Sequence, residues 1–168
     1  MAKQISSTQK PDDRTWPLKD SAALRIIDGL YRCRKYVWTS DQKIVASYGL
    51  TWSQLLVIEA LRNAEPDFTL SPTDLAALTQ STSGGMAKML GGLVKLGMIS
   101  RVENAHDRRS SLVRLTPIGT ETVERTLNEL ARTNTEIFLG TLTQEECEAL
   151  AESLAKLQDG LKRTFNDQ

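Results

Sequence analysis

The sequence predicts a mainly α-helical protein with a small two- or three-stranded β-sheet inserted before its last two helices. Three observations lead to this prediction. Apolar residues recur at helical spacing over most of the 168-residue chain. Helix-capping residues mark several helix starts, among them Ser71 followed by Pro72, and Thr143 followed three residues later by Glu146. Two short segments, 98–102 and 111–115, alternate as strands do and flank a polar loop, which indicates a hairpin.

Capping residues and apolar spacing place six helices in the sequence. The first is long and the third is short, and the fourth is ended by Gly97 as a C-terminal glycine. Residues 63–70, which contain Pro66, are predicted to form a loop. The predicted helices cover about 18–46, from 52 onward, from 72 to about 78, about 82–96, from 117 onward and from 144 onward.

Charge is segregated along a chain whose formal net charge is zero. Residues 81–116 carry six Lys or Arg against two acids, a net of +4. From residue 121 to the end there are ten acids against five bases, a net of −5. Because a polyanion responds to the local field rather than to the total charge, residues 81–116 are the expected nucleic-acid-binding segment.

Composition argues against several classes of protein. The two cysteines, Cys33 and Cys147, are too few for a disulfide framework, and the single histidine, His106, excludes a histidine metal cluster within one chain. No phosphate-binding loop or Ser–His–acid set occurs, so an enzyme is not expected and neither is a cofactor. No apolar run approaches the roughly 18 residues that span a membrane. The reduced cytoplasm is the expected compartment.

The predicted order of elements is that of a winged helix-turn-helix: short helix, break, second helix, two-stranded hairpin. The second helix of such a pair enters the DNA major groove, and the hairpin tip lies over the adjacent minor groove. The last two helices carry apolar stripes that are typical of helices packing on partner helices. We therefore expect a flexible arm, a first dimerisation helix, a DNA-binding domain and C-terminal dimerisation helices, in residues 1–17, 18–50, 51–116 and 117–168.

The chain resembles the MarR family of bacterial transcription regulators. The resemblance rests on the run Leu-Val-Lys-Leu-Gly-Met-Ile-Ser-Arg at 93–101, on Asp107-Arg108-Arg109, and on the exit Leu-Thr-Pro-Ile-Gly at 115–119. Gly-Leu-Thr at 49–51 and Thr-Ser-Gly-Gly-Met at 82–86 also fit, so the resemblance covers nearly all of the chain after residue 18.

The resemblance implies a triangular homodimer, built from the first, fifth and sixth helices, that represses transcription until a small ligand or thiol oxidation releases it. It also implies a wing in which the Asp orients one Arg and an Arg reaches the minor groove. For the wing, the alternative is a charged hairpin tip that is merely solvated. For Met86, the alternative is a position in the core. The implied DNA-binding residues are Thr73, Thr82, Ser83, Met86, Lys88, Asp107, Arg108 and Arg109.

The recognition helix departs from the family pattern. Polar residues common in relatives are replaced by Ala87, Met89 and the pair Gly91-Gly92, and further glycines stand at 84 and 85. Glycine in a helix interior costs roughly 0.5 to 1 kcal/mol each. An operator sequence therefore cannot be transferred from relatives.

The effector is expected to be a small aromatic or anionic compound. Its candidate pocket residues are Trp16, Tyr31, Arg34, Trp38 and Trp52. The alternative for each aromatic is core or interface packing. Cys33 lies where peroxide-sensing relatives hold a reactive cysteine, so a thiol-based redox regulator is one alternative function. Another is a winged-helix protein-interaction module that binds no DNA.

Overall fold

The computed structural model describes residues 21–64, 66–104 and 111–166, and within them the chain forms six helices and three strands. The first helix is described from residue 22, so its expected start near residue 18 lies outside the described residues. The bounds are α1 Ala22–Ser47, α2 Trp52–Arg62, β1 Thr69–Leu70, α3 Pro72–Leu78, α4 Ser83–Lys95, β2 Ile99–Glu103, β3 Ser111–Leu115, α5 Pro117–Leu139 and α6 Gln144–Asn166.

Side-chain caps fix the helix starts as predicted. The hydroxyls of Ser71, Thr82 and Thr116 each accept a hydrogen bond from the backbone N–H of the third residue of the helix that follows. The three helices are α3, α4 and α5. Thr51 begins α2 in a reciprocal capping box with Gln54. Before α6, the backbone N–H of Glu146 donates to the Thr143 hydroxyl, and the Thr143 N–H donates to the Glu146 carboxylate.

The described strands form one antiparallel sheet in the order β1-β3-β2. Ile99 pairs with Leu115 in the hairpin, and Leu70 pairs with Val113 on the other side of β3. The prediction of an uninterrupted loop over residues 63–70 was wrong, because Thr69–Leu70 forms β1. A two-residue strand is too short to show alternation in sequence, and it exists only because β3 offers it a partner.

The core lies in the unit Ser40–Gln168, one of two compact units into which the chain divides. The sheet, helices α2 to α5, the last turns of α1 and Leu50 before α2 contribute its buried side chains. Gly97 ends α4 with a positive φ of 69°, as predicted for a C-terminal glycine. Gly119 lets α5 approach the end of α4, since a Cβ there would lie 2.1 Å from the Met98 carbonyl oxygen. The largest fully buried apolar side chains are Leu55, Ile58, Leu61, Leu75, Met86, Leu90 and Leu93.

Two helical surfaces carry exposed apolar side chains. In the unit Met1–Thr39, the described part of α1 exposes Leu24, Ile26, Ile27, Leu30, Tyr31, Tyr36 and Trp38. In the unit Ser40–Gln168, α6 exposes the stripe predicted from its spacing. That stripe, with the residue that extends it, is Leu150, Leu154, Leu157, Leu161 and Phe165.

Across the described residues, no single helix has both the length and the apolar composition to cross a membrane. Only α1 and α2, taken together as a bent pair, meet that test, and by length and composition alone.

Candidate nucleic-acid interface

Helix α4 has a buried side and an exposed side. Met86, Leu90 and Leu93 recur at four and three residues and are no more than 1 % exposed. The prediction that Met86 lies on the exposed face was wrong. Its spacing from Leu90 and Leu93 puts it on the stripe that packs into the core, so its side chain is not available to a thymine methyl group.

The exposed side of α4 combines small residues with two lysines. Its exposed members are Ser83, Gly84, Gly85, Ala87, Lys88, Gly91 and Lys95, together with one larger apolar residue, Val94, near the C-terminal end. Apart from the adjoining backbone of α4, nothing lies within 4 Å of where a Cβ would stand on Gly84 or Gly91, so this side of the helix is open. A helix with this surface can bring its backbone close to another polymer while its lysines reach phosphates.

A depression of about 280 Å³ lies where α3, α4 and β2 meet. Three predicted site residues line it: Thr73 from α3, Ser83 from the first turn of α4, and the buried Met86, which lies at its floor one turn further along α4. Arg101 of β2 lines it as well, and its guanidinium Nη1 donates a hydrogen bond to the Ser111 hydroxyl at 3.2 Å. The structure thus brings two hydroxyls and a cation together beside the start of α4.

Thr82 stands at the first boundary of α4. Its hydroxyl accepts a hydrogen bond from the Gly85 N–H at 3.2 Å, which satisfies one of the free donors of the helix N-terminus. The side chain is exposed, so its O–H is free to donate outward. Thr82 therefore has a structural role at the start of α4, next in sequence to Ser83, which lines the depression.

At the base of the hairpin two arginines lie on opposite faces of the sheet, because Arg101 pairs with Val113 and Arg114 pairs with Ser100. Arg101 and Arg114 are both exposed, and the Arg114 Nε donates to the Thr69 hydroxyl at 3.1 Å. The predicted wing residues Asp107, Arg108 and Arg109 lie outside the described residues.

Arg101 is the interface residue that the sequence-based selection missed. It is one of the six bases of the positive segment, but in the sequence it reads as an ordinary strand residue. The available signal was its alternation with Ser100 and Val102, which places its side chain on one face of β2. Which face contacts α4 depends on the register of the sheet.

The predicted effector residues are distributed over both units. Trp16 lies outside the described residues, and Tyr31, Arg34 and Trp38 are exposed on α1 within the unit Met1–Thr39. The Arg34 guanidinium carbon stands 5.9 Å from the centre of the Trp38 ring, a cation–π contact. Trp52 is half-buried against the core of the other unit. The prediction of an effector pocket stays a prediction.

Two other features bear on ligands. A cavity of about 470 Å³ between α2, β1 and the end of α3 contains none of the predicted effector residues; it is lined by Leu56, Glu59, Ala60, Asn63, Ala64, Leu70, Leu78 and Thr79. Cys33 is exposed on α1. In the part of the chain that the structure describes, no three His, Cys, Asp or Glu side chains are grouped so as to hold a metal ion.

Comparison with known sequences identifies relatives along most of the chain. The model of the MarR family matches residues 48–110, which include helices α2 to α4 and strands β1 and β2. The uncharacterized HTH-type transcriptional regulator YdgJ of Bacillus subtilis is 30% identical over 71% of this chain and 70% of its own. The HTH-type transcriptional regulator PapX of Escherichia coli is 25% identical over 88% of this chain and 87% of its own.

Solved structures share the fold. The apo form of wild-type MarR from E. coli is 25% identical, with a TM-score of 0.63 over 76% of this chain and 95% of its own. A mutant of S. aureus MepR, bound to an oligodeoxyribonucleotide, is 22% identical with a TM-score of 0.61 over 80% of this chain and 97% of its own.

Proposed function

Because the chain belongs to the MarR family of winged-helix transcription regulators, we propose that it represses transcription by binding an inverted repeat in duplex DNA as a homodimer, until a small ligand releases it. The family consists of transcription regulators rather than enzymes. The observation that carries the proposal is the open, lysine-bearing side of α4 beside the depression that contains Thr73, Ser83 and Arg101.

Helix α4 is the element proposed to enter the major groove. The major groove admits one α-helix, and the small side chains at Gly84, Ala87 and Gly91 allow close approach of its backbone. Lys88 then reaches a phosphate or a base edge. Ser83 and Thr82, at the N-terminal end of the helix, stand where recognition helices contact bases.

The wing, residues 104–110 with the ends of β2 and β3, is proposed to contact the adjacent minor groove. Arg108 and Arg109 follow Asp107 between β2 and β3, and an arginine in a narrow minor groove gains from its strong negative potential. The oligodeoxyribonucleotide bound to the MepR mutant supports DNA as the partner of this fold.

A second copy of the chain is proposed to cover the apolar stripe of α6. Exposed leucines at four- and three-residue spacing along a 23-residue helix are the pattern of a helix that packs on another helix. A two-fold dimer presents two copies of α4, and its operator is then an inverted repeat with half-sites about one helical turn apart.

The dimer is tested by Leu154→Glu combined with Leu157→Glu. Two buried charges at an apolar interface should give a monomer at micromolar concentration and, with it, weak DNA binding, as measured by analytical ultracentrifugation and fluorescence anisotropy. Lys156→Glu, on the exposed surface between them, is the control and should leave the dimer intact. A wild-type protein that sediments as a monomer would contradict the proposal.

The effector is proposed to be a small aromatic or anionic compound. The support is the exposure of Tyr31, Arg34 and Trp38 on α1, where the Arg34 cation lies beside the Trp38 ring. Mass spectrometry of small molecules that co-purify with the protein tests this proposal. The exposed Cys33 favours thiol oxidation as a second candidate signal; if so, peroxide should release DNA from the wild type and not from Cys33→Ser.

The operator is tested by selecting bound duplexes from a random-sequence pool. The expected product is an inverted repeat bound by two chains. Selection of no duplex above background, at low as well as moderate salt, would favour the interaction-module alternative.

A further inference from the structure

Three polar contacts join α5 to the C-terminal part of α1, to the turn that follows α1, and to the end of α2. At the end of α2, the Arg62 Nη2 lies 3.4 Å from the Oε1 of Glu124, which belongs to α5. The Tyr48 hydroxyl donates to the Glu129 Oε2 at 2.6 Å, and the Asn134 Nδ2 donates to the Asp41 Oδ1 at 3.0 Å. All six residues belong to the unit Ser40–Gln168.

Two of these contacts, those of Glu124 and Glu129, flank the buried face of α5, whereas Asn134 lies close to the direction of that face. That face is formed by Val123, Thr126 and Leu130. At about 100° of rotation per residue, Glu124 lies roughly 100° from Val123 in one direction and Glu129 roughly 120° in the other. Contacts on both edges of a helix oppose its rolling, which apolar packing along a single face does not.

The contact between Asp41 and Asn134 stabilises the fold less than apolar packing at the same positions would. Asp41 is only 9% exposed, and the Asn134 Oδ1 is buried without a hydrogen-bond partner among the described residues. An unsatisfied buried acceptor costs free energy that apolar packing would not. The Asp41–Asn134 contact therefore contributes direction rather than much stability, and the partly exposed Arg62–Glu124 pair likewise adds little stability.

The Tyr48 contact is the shortest of the three. Its oxygen–oxygen distance of 2.6 Å is short, as is usual for a hydroxyl bound to a carboxylate. The Arg125 guanidinium carbon stands 6.0 Å from the centre of the same ring, so Tyr48 is held from both its hydroxyl and its face. The ring thus connects the turn after α1 to two successive turns of α5.

We propose that two pairs on opposite edges of α5, Tyr48–Glu129 and Arg62–Glu124, are positioning pairs. By holding α5 they set the orientation of recognition helix α4 relative to α6. That orientation in turn sets the half-site spacing that the dimer accepts. The part about spacing rests on the proposed function. The part about orientation does not rest on it, because α2, α4, α5 and α6 all belong to the unit Ser40–Gln168 of a single chain.

The test is the variant Tyr48→Phe with Arg62→Met, which removes the hydroxyl and the cation but keeps the ring and the side-chain length. Glu129→Gln retains an acceptor for the Tyr48 hydroxyl and should behave as the wild type. Arg132→Met is the matched control, because it breaks only the exposed Arg132–Glu136 pair on the same helix.

The first readout is the ratio of affinities for the selected repeat and for the same repeat lengthened by one base pair. Loss of two contacts of hydrogen-bond strength should lower this ratio by about threefold or more in the double variant, and leave it unchanged in the two controls. Circular dichroism should show the same helix content for all four proteins.

The second readout needs no DNA. Spin labels at Lys88→Cys and Glu152→Cys, in a Cys33→Ser, Cys147→Ser background diluted with unlabelled protein, report the distance between α4 and α6 by pulsed electron resonance. The distribution should broaden in the double variant only.

The two readouts separate the inference from the proposed function. An unchanged distance distribution in the double variant overturns the inference, whether or not the wild type binds DNA. A broadened distribution in a protein that selects no duplex supports the orientation role and contradicts the proposed function. A broadened distribution with an unchanged spacing ratio overturns the link to half-site spacing.

Discussion

Met86 and Ser83 are three residues apart on α4 and occupy opposite environments. Both line the depression beside Thr73, but Met86 is only 1% exposed and packs into the core, whereas Ser83 is exposed. Met86→Ala should therefore lower the free energy of unfolding by about 2 to 5 kcal/mol, as expected for a buried large-to-small change. Ser83→Ala should leave stability within about 0.5 kcal/mol and change the preferred bases instead.

Urea denaturation and duplex selection with both variants measure these two effects. A stable Met86→Ala protein with altered base preference would contradict the placement of Met86 in the core. The sequence-based assignment of Met86 to the exposed face followed the family resemblance, which carries no information on which residues of the helix pack inward in this chain.

Tyr48 provides a prediction about pH. The hydrogen bond to Glu129, with burial and the nearby negative charge, raises the pKa of Tyr48 above its ordinary value of about 10. Because the folded-state pKa is raised, the bond stabilises the fold below about pH 10 and is lost as the pH rises through the higher, folded value.

Absorbance titration of tyrosinate, in a Tyr31→Phe, Tyr36→Phe background, isolates this group. Its midpoint should shift down toward the ordinary value when Glu129 is replaced by Leu, which removes both the acceptor and the charge. An identical midpoint in the two proteins would show that the contact is not formed in solution.

At the scale of elements, helix starts were the part of the fold most accessible from sequence. Ser71, Thr82, Thr116 and Thr143 each cap a helix through a local hydrogen bond, so the information lies within four residues. Strand β1 and the role of Arg101 depend instead on β3 and on the sheet register, which join residues far apart in sequence.

The glycines of α4 lead to a prediction about helix stability. Gly91 is exposed with open space around its missing Cβ, so Gly91→Ala should stabilise the protein by about 0.5 to 1 kcal/mol. Gly92→Ala should stabilise less, because its Cβ would stand 2.8 Å from the Gln54 Nε2, whose side chain is held by Thr51.

Urea denaturation compares the two variants with the wild type. The same Gly91→Ala change should weaken DNA binding if the helix backbone lies close in the groove. A gain in stability for Gly92→Ala as large as that for Gly91→Ala would contradict the packing described for α4.

For the whole molecule, the distribution of charge matters more than its sum. The formal net charge of zero hides a positive segment around α4 and the hairpin and a negative segment in the last two helices. This separation directs a polyanion to one part of the chain. It was visible in the sequence, whereas the placement of Arg101 beside the start of α4 required the fold.

The central claim is that the surface formed by α4 and β2 binds duplex DNA. Its most direct test is the affinity of the wild type and of Lys88→Ala with Arg101→Ala for the selected duplex, measured across a range of salt concentrations. Each lost phosphate contact lowers the slope of log K against log salt by roughly 0.9, so the slope should fall by about two in the double variant. Equal affinities and slopes for the two proteins, at every salt concentration, would contradict the claim.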